Sequence, residues 1–390
     1  MNKNQSIFSK LDYTIIFIIF LFFCISLVAL YYAPDGGKNF IIPQIRWYFF
    51  GLIVFVIFLL IDYDYLKQIH WILYGFCMLL LLGLSLKQFL NIPVPFVADP
   101  EDTMGALSWY AIPGIGSLQP SEFMKIFMTV SMSTIISKHN ENDAIKTVHD
   151  DLILLGKLAL VSGPPFFLVL AQPDLGTALV MFSIIFCIVL VSGVRWQIIL
   201  AMVSTIVAGV ILFFVSWFKF PSLIDLVLES HQKARFYGWL DPVKYSNEQG
   251  FQLIQSLHTI GPGEMLNFGL DKSAVNMSEG HTDFIFAVIA GSFGFIGASI
   301  VIGLYFILIY RMVHAAMTSH DPFGSYIITG FIGMFMFQVF ENIGMTIQVM
   351  PITGITLPFL SYGGSSIITS MMAIGIILSI QSRKRTYMFD

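Results

Sequence analysis

Charge is scarce in this chain. Only 11% of its 390 residues are Asp, Glu, Lys or Arg, where an ordinary soluble domain has roughly 25%. Too few charges remain to solvate a globular surface. The formal net charge of −4 adds little, because the placement of charges matters more than their sum, and nothing points to a nucleic-acid partner. Cysteine is rarer still. Cys24, Cys77 and Cys187 each lie inside an apolar run without metal-ligand spacing, so they read as small apolar side chains rather than a disulfide framework. The eight histidines include no HExxH, which argues against a zinc site of that type. No Gly-rich loop of the P-loop or dinucleotide type occurs, so no nucleotide cofactor is expected. No inverted internal repeat is visible either, which weakens a transporter built on one.

Apolar residues fill the space left by charge. Hydrophobic residues make up 56% of the chain, with 38 Phe and 19 Met. They fall in runs long enough to cross a hydrocarbon layer of about 30 Å, which takes about 20 helical residues. The fold class is therefore all-α, a polytopic membrane protein, with residues 1–390 expected to form one integral membrane domain. Ten spans are expected, at 13–32, 46–61, 70–86, 121–137, 152–171, 174–192, 196–217, 283–310, 323–347 and 358–381. The first is too long for a cleaved signal and lacks a small-residue cleavage site, so it reads as an anchor. Basic residues set the orientation. With the N-terminus inside, eleven Lys and Arg flank the spans on the inner side and eight on the outer, five of those eight in one long loop. Both termini are therefore expected to be cytoplasmic.

Two outer loops are long enough to carry function. One runs over 87–120, and the other, over 218–282, lies between spans seven and eight. The second holds Lys233, Arg235 and Lys244, then Gln249-Gly250-Phe251-Gln252-Leu253-Ile254-Gln255-Ser256, which reads as a short helix lying on the membrane. Four polar clusters sit at span boundaries. The first is Ser108-Trp109 with Gln119-Pro120-Ser121-Glu122 and Lys125. Glu122 and Lys125 are three apart on one helix face and can pair, either as a neutralised pair between helices or facing a cavity. The second is Gln172-Pro173-Asp174-Leu175-Gly176-Thr177, where Asp174 suits a helix N-cap. The third is Glu279 with His281-Thr282-Asp283, and Asp283 could likewise be only a cap. The fourth is Asn342 with 351–366, a Pro/Gly-punctuated run ending Ser361-Tyr362-Gly363-Gly364-Ser365-Ser366, which permits close helix packing or local unwinding.

Four strings, in this order and at these boundaries, resemble the SEDS family (shape, elongation, division and sporulation), which includes RodA, FtsW and SpoVE. They are Gln119-Pro120-Ser121-Glu122, Gln172-Pro173-Asp174-Leu175-Gly176-Thr177, His281-Thr282-Asp283-Phe284-Ile285-Phe286 and 357–366. The chain length looks more like the RodA branch. The resemblance implies a peptidoglycan glycosyltransferase that polymerises lipid II during cell-wall elongation, in the bacterial plasma membrane, with a class B penicillin-binding protein as partner. It puts the family's essential acidic residue on Asp283 and a loop tryptophan on Trp109. Two departures stand out. Ala290-Gly291-Ser292 replaces an acidic pair often found after the third string, and Ser108 replaces an Arg often found before the tryptophan.

The chemistry calls for a base and a cation. A sugar hydroxyl needs a general base to attack an anomeric carbon, and a partly desolvated carboxylate can serve. The leaving pyrophosphate needs Arg, Lys or a divalent cation such as Mg2+ or Mn2+. The expected site is Asp283 as base, with Trp109, Gln119, Ser121, Glu122, Lys125, Asp174, Thr177, Lys233, Arg235, Lys244, Gln252, Gln255, His281, Thr282, Asn342, Ser361, Tyr362 and Ser365 binding substrate or lining its cavity. A lipid II flippase and a non-catalytic scaffold for cell-wall synthases are the alternatives. Clustering of the polar groups at outer boundaries favours the enzyme.

Overall fold

A computed structural model of the chain describes residues 10–34, 37–90, 94–97, 108–112, 116–142, 147–220, 230–246, 249–263, 265, 277 and 279–383. Eight helices among these are long and apolar enough to cross a membrane. They are α1 (Tyr13–Tyr32), α2 (Ile41–Leu60), α3 (Leu66–Leu90), α5 (Val148–Ala171), α7 (Trp196–Lys219), α10 (Ile285–Met317), α11 (Pro322–Thr346) and α12 (Gly364–Ser382). Two more complete the expected ten. Helix α6 (Leu175–Val191) is apolar but short, and α4 (Pro120–Asn142) is long but polar. At about 1.5 Å per residue α4 reaches across a bilayer. The protein is thus a polytopic α-helical membrane protein, as its composition requires.

A polar helix can sit at the centre of such a bundle only if its side chains find partners. Those of α4 do. The hydroxyls of Thr129, Ser133 and Thr134 donate to the carbonyls of Lys125, Thr129 and Val130 at 2.7, 2.7 and 2.8 Å, the local back-bonding that Ser and Thr favour inside helices. Lys125 and Glu122 pair at 2.7 Å, both buried. Around α4 pack α3, α5, α6, α11 and α12. Helix α7 lies at the other extreme, with Trp217 its one buried residue.

Small residues let α11 approach α4 and α6. A Cβ on Gly330 would sit 2.5 Å from Thr129 and 2.8 Å from Ile188, and one on Gly333 would sit 2.9 Å from Cys187. This is the small-residue packing that membrane helices use.

Three features depart from the span expectations. Helix α12 begins at Gly364 rather than 358. The preceding 347–363 is extended or turned, with Gln348 and Phe359 at φ 64° and 65° and Gly354 at φ 78°. Helix α10 contains a non-helical Gly294, at φ 65° and ψ −164°, which kinks it. The two long loops add structure of their own. A hairpin joins β1 (Tyr110–Ile112) to β2 (Gly116–Leu118), and two helices, α8 (Ser230–Leu240) and α9 (Gln249–Ile260), follow α7. The amphipathic α9 rests on α10 and α11 rather than standing apart. Its Ser256 hydroxyl donates to the Thr346 carbonyl at 2.8 Å.

Replacing Gly330 by Val is expected to destabilise the protein by about 1–3 kcal/mol, the usual range for overpacking. Thermal unfolding in detergent checks this, and an unchanged midpoint would contradict the α4–α11 contact.

Candidate active site

The N-termini of α4, α6, α10 and α12 meet the ends of the hairpin, the middle of α8 and the first turn of α9 around one polar, half-open cavity of about 470 Å³. Two other hollows, between α1 and α2 and beside α3 and α4, are lined almost wholly by aliphatic and aromatic side chains. The titratable groups gather in the polar one. Its wall carries Glu122, Asp174, Glu279 and Asp283 against Lys125 and Arg235. Of the remaining expected residues, Trp109, Gln119, Thr177, Gln252, Thr282, Tyr362 and Ser365 also line it.

Asp174 and Asp283, each able to cap a helix and set apart in the sequence only by the hairpin before one and the long loop before the other, differ here. Asp174 is the N-cap of α6, accepting from the Thr177 backbone N–H at 2.9 Å, and its other oxygen accepts from Gln119 Nε2 at 2.9 Å. Asp283 caps nothing. The N-cap of α10 is Phe284, without a side-chain cap bond, so the Asp283 carboxylate is left for the cavity. Burial pushes its pKa from 3.8 up to about 7, the nearby Glu279 adds to the rise, and Arg235 opposes it.

The turn bearing Asp283 is held by three successive carbonyls. That of His281 accepts from the Tyr362 backbone N–H at 2.9 Å, that of Thr282 from Ser361 Oγ at 2.7 Å, and that of Asp283 from Asn342 Nδ2 at 2.7 Å. Tyr362 and Ser361 precede α12 and Asn342 lies on α11. The His281 ring stacks on Phe40 with centroids 4.3 Å apart, and Thr282 Oγ1 donates to Glu279 Oε2 at 2.9 Å.

Several expected residues therefore lie off the wall. Asn342, Ser361 and His281 support the Asp283 turn from behind. Ser121 is buried in the first turn of α4. Lys233 is two residues from Arg235 on α8, a separation that puts two helical side chains on different faces. Lys244 is exposed in the turn after α8, 5.5 Å from the Tyr245 ring. Gln255 is half-buried on α9. The wall also includes residues outside the expected set. Glu279 and Gln338 line the cavity, as do Ile352, Gly354, Ile355 and Thr356. Beside them the Thr353 carbonyl accepts from Arg235 Nη1 at 3.4 Å. Glu279 stands two residues before the third string, where its nearness to Asp283 is a usable signal. Gln338 lies mid-helix on α11, where no local sequence signal marks it.

Residues 5–386 match the FtsW/RodA/SpoVE family, described as "Cell cycle protein". The chain belongs to this family. Stage V sporulation protein E of Bacillus subtilis (strain 168) is 31% identical over 386 residues, covering 96% of this chain and 98% of that protein. A probable peptidoglycan glycosyltransferase FtsW of Haemophilus influenzae is 36% identical over 301 residues, covering 75% and 71%. A solved chain from work on the structural coordination of polymerization and crosslinking by a peptidoglycan synthase complex superposes with a TM-score of 0.73 at 29% identity, covering 95% of this chain and 97% of that one. The FtsW/RodA/SpoVE match spans helices α1 to α12 and the cavity between them.

The raised pKa of Asp283 has a consequence for stability. The folded protein binds a proton there between pH 3.8 and about 7 that the unfolded chain has released, so this group costs stability progressively as pH rises through that window. Asp283→Asn is expected to raise the thermal midpoint at pH 8 and to change it little at pH 4. Equal shifts at both pH values would contradict the burial of the carboxyl.

Proposed function

We propose that this protein is a peptidoglycan glycosyltransferase that polymerises lipid II at the outer face of the bacterial plasma membrane. One observation carries the reading. The Asp283 carboxyl is freed from capping and held in a half-open cavity beneath four helix N-termini. In the reaction the 4-hydroxyl oxygen of one lipid-linked disaccharide bonds to the anomeric carbon of another. The bond from that carbon to the polyprenyl pyrophosphate breaks and its electron pair leaves with the phosphate. Asp283 takes the hydroxyl proton, a role suited to a carboxylate with a pKa of about 7. Helix N-termini favour anions, and Arg235 and Lys125 supply the cationic side chains on the wall.

A divalent cation fits less well as a resident group. Both Asp174 oxygens are already engaged, and no cluster of three His, Cys, Asp or Glu suited to a metal occurs among the described residues. A cation arriving with the pyrophosphate, held mainly by phosphate oxygens, matches how Mg2+ is usually bound. The flippase alternative needs polar groups free along the membrane depth. The α4 hydroxyls of Thr129, Ser133 and Thr134 are engaged by their own helix instead.

Both termini are read as cytoplasmic from the excess of basic residues on that side, which puts the cavity outside. The partner is proposed to be a class B penicillin-binding protein, in line with the synthase complex whose chain this one resembles. The cellular role is proposed to be rod elongation, on the resemblance to the RodA branch.

Asp283→Asn and Asp283→Ala are expected to abolish glycan polymer made from labelled lipid II while leaving membrane insertion intact; full polymerisation by either would sink the assignment. The rate of the native protein should rise with pH through about 7, and Glu279→Gln, which removes a neighbouring negative charge, should move that limb to lower pH. Depletion in a rod-shaped cell should give rounded cells. Long undivided filaments would transfer the protein to division.

A further inference from the structure

We infer that Asn342 is a positioning residue for Asp283, an inference that rests on the reading of Asp283 as the base. Asn342 lies on α11 and is fully buried. Its amide nitrogen donates to two carbonyls, those of Asp283 and Ile355, each at 2.7 Å. Both partners are acceptors, so the nitrogen is the atom that must face them. The amide oxygen Oδ1, turned away, is buried and has no hydrogen-bond partner among the described residues. An unsatisfied buried polar atom costs stability. An apolar side chain there would leave both carbonyls unpaired, so what the position requires is the pair of donors that joins the Asp283 and Ile355 backbones.

The second carbonyl explains the arrangement. Ile355 follows Gly354, whose φ is 78°, and a Cβ there would lie 3.4 Å from Asp283 Oδ2. Gly354 is thus the backbone against which the carboxylate rests. Asn342 ties together the backbone that carries the carboxylate and the backbone that confronts it. The adjacent Glu341 secures the same strip from the other side, its Oε1 accepting from Thr353 Oγ1 at 2.8 Å. Among side chains of this size, only a primary amide donates twice from one atom.

The consequence is kinetic, because a misplacement of about 1 Å at a reacting group can cost on the order of 100-fold in rate. The charged groups around Asp283 are Glu279 in its own turn, Arg235 on α8, Asp174 before α6 and the Glu122–Lys125 pair on α4. None is Asn342, so its removal changes the titration of Asp283 only by moving it.

The test uses the full-length protein with its crosslinking partner in proteoliposomes and labelled lipid II as substrate. Asn342→Leu keeps the size and removes both donors, and Asn342→Ala removes them with less bulk. Turnover per folded molecule should fall on the order of 100-fold with KM essentially unchanged. The rising limb of the pH profile should move to lower pH as the loosened carboxyl meets more water. Gly354→Ala, acting from the opposite side, should give the same pair of effects. As a control, Asn140→Ala removes an amide that bridges the Ser192 carbonyl and the Tyr326 hydroxyl far from the cavity, and should leave the pH profile unmoved. Native turnover in both Asn342 variants overturns the inference. So does a loss that only tracks folded fraction with an unshifted profile, or a failure of all three site variants to fold. Activity surviving in Asp283→Asn would instead overturn the reading of the base, whatever the Asn342 variants do.

Discussion

Everything at the cavity hangs on a stretch of backbone that is not helical although helices surround it. Within 347–363 the carbonyls of Pro358, Phe359, Leu360 and Ser361 accept from Tyr305, Tyr48, Ser26 and Gln44 in turn. Those donors come from α10, α2, α1 and α2. Inside a membrane protein an unpaired carbonyl costs several kcal/mol with no water to relieve it. Three separate helices thus commit buried polar side chains to four consecutive peptide groups. The turn so fixed presents Ser361 and Tyr362 to the carbonyls of Thr282 and His281, and through them places Asp283.

The electrostatics of the cavity follow from the same scarcity of polar groups. Glu122 and Lys125 neutralise one another at 2.7 Å, with Glu122 held further by the Thr369 hydroxyl at 3.1 Å. A buried pair of this kind adds little net stability, because desolvation offsets the attraction. Fold stability alone therefore does not account for its place on the wall. Asp174 serves a cap and Gln119 together, and Glu279 takes the Thr282 hydroxyl. Of the four wall carboxylates, that of Asp283 alone has neither a hydrogen-bond donor nor a cation within salt-bridge distance among the described residues.

Much of this is legible in the sequence. Long apolar runs reveal a polytopic α-helical membrane protein, since no water-soluble fold can hide them. The strings at 119–122, 172–177, 281–286 and 357–366 mark the right boundaries, and twelve of the nineteen expected site residues line one cavity. The errors have physical causes. Nearness in a loop groups Lys233 and Lys244 with Arg235, but a helix and a turn send them elsewhere. Asn342, Ser361 and His281 read as wall residues and instead hold the wall in place. Residues 358–363 read as span because Pro-Phe-Leu is apolar, though proline and paired glycines also permit the unwinding that occurs.

Composition and order alone determined the class of molecule and the short list of chemical residues, because these depend on local properties such as hydropathy and spacing. Which carboxylate is free was decided only by tertiary structure. Asp174 and Asp283 each precede an apolar helix, and although one follows a two-residue hairpin and the other a long loop, that context does not fix which carboxylate caps its helix. The distinction arises because α10 starts one residue beyond Phe284, while Asn342 and Ser361, 59 and 79 residues away in sequence, pin the turn so that its carboxyl faces the cavity.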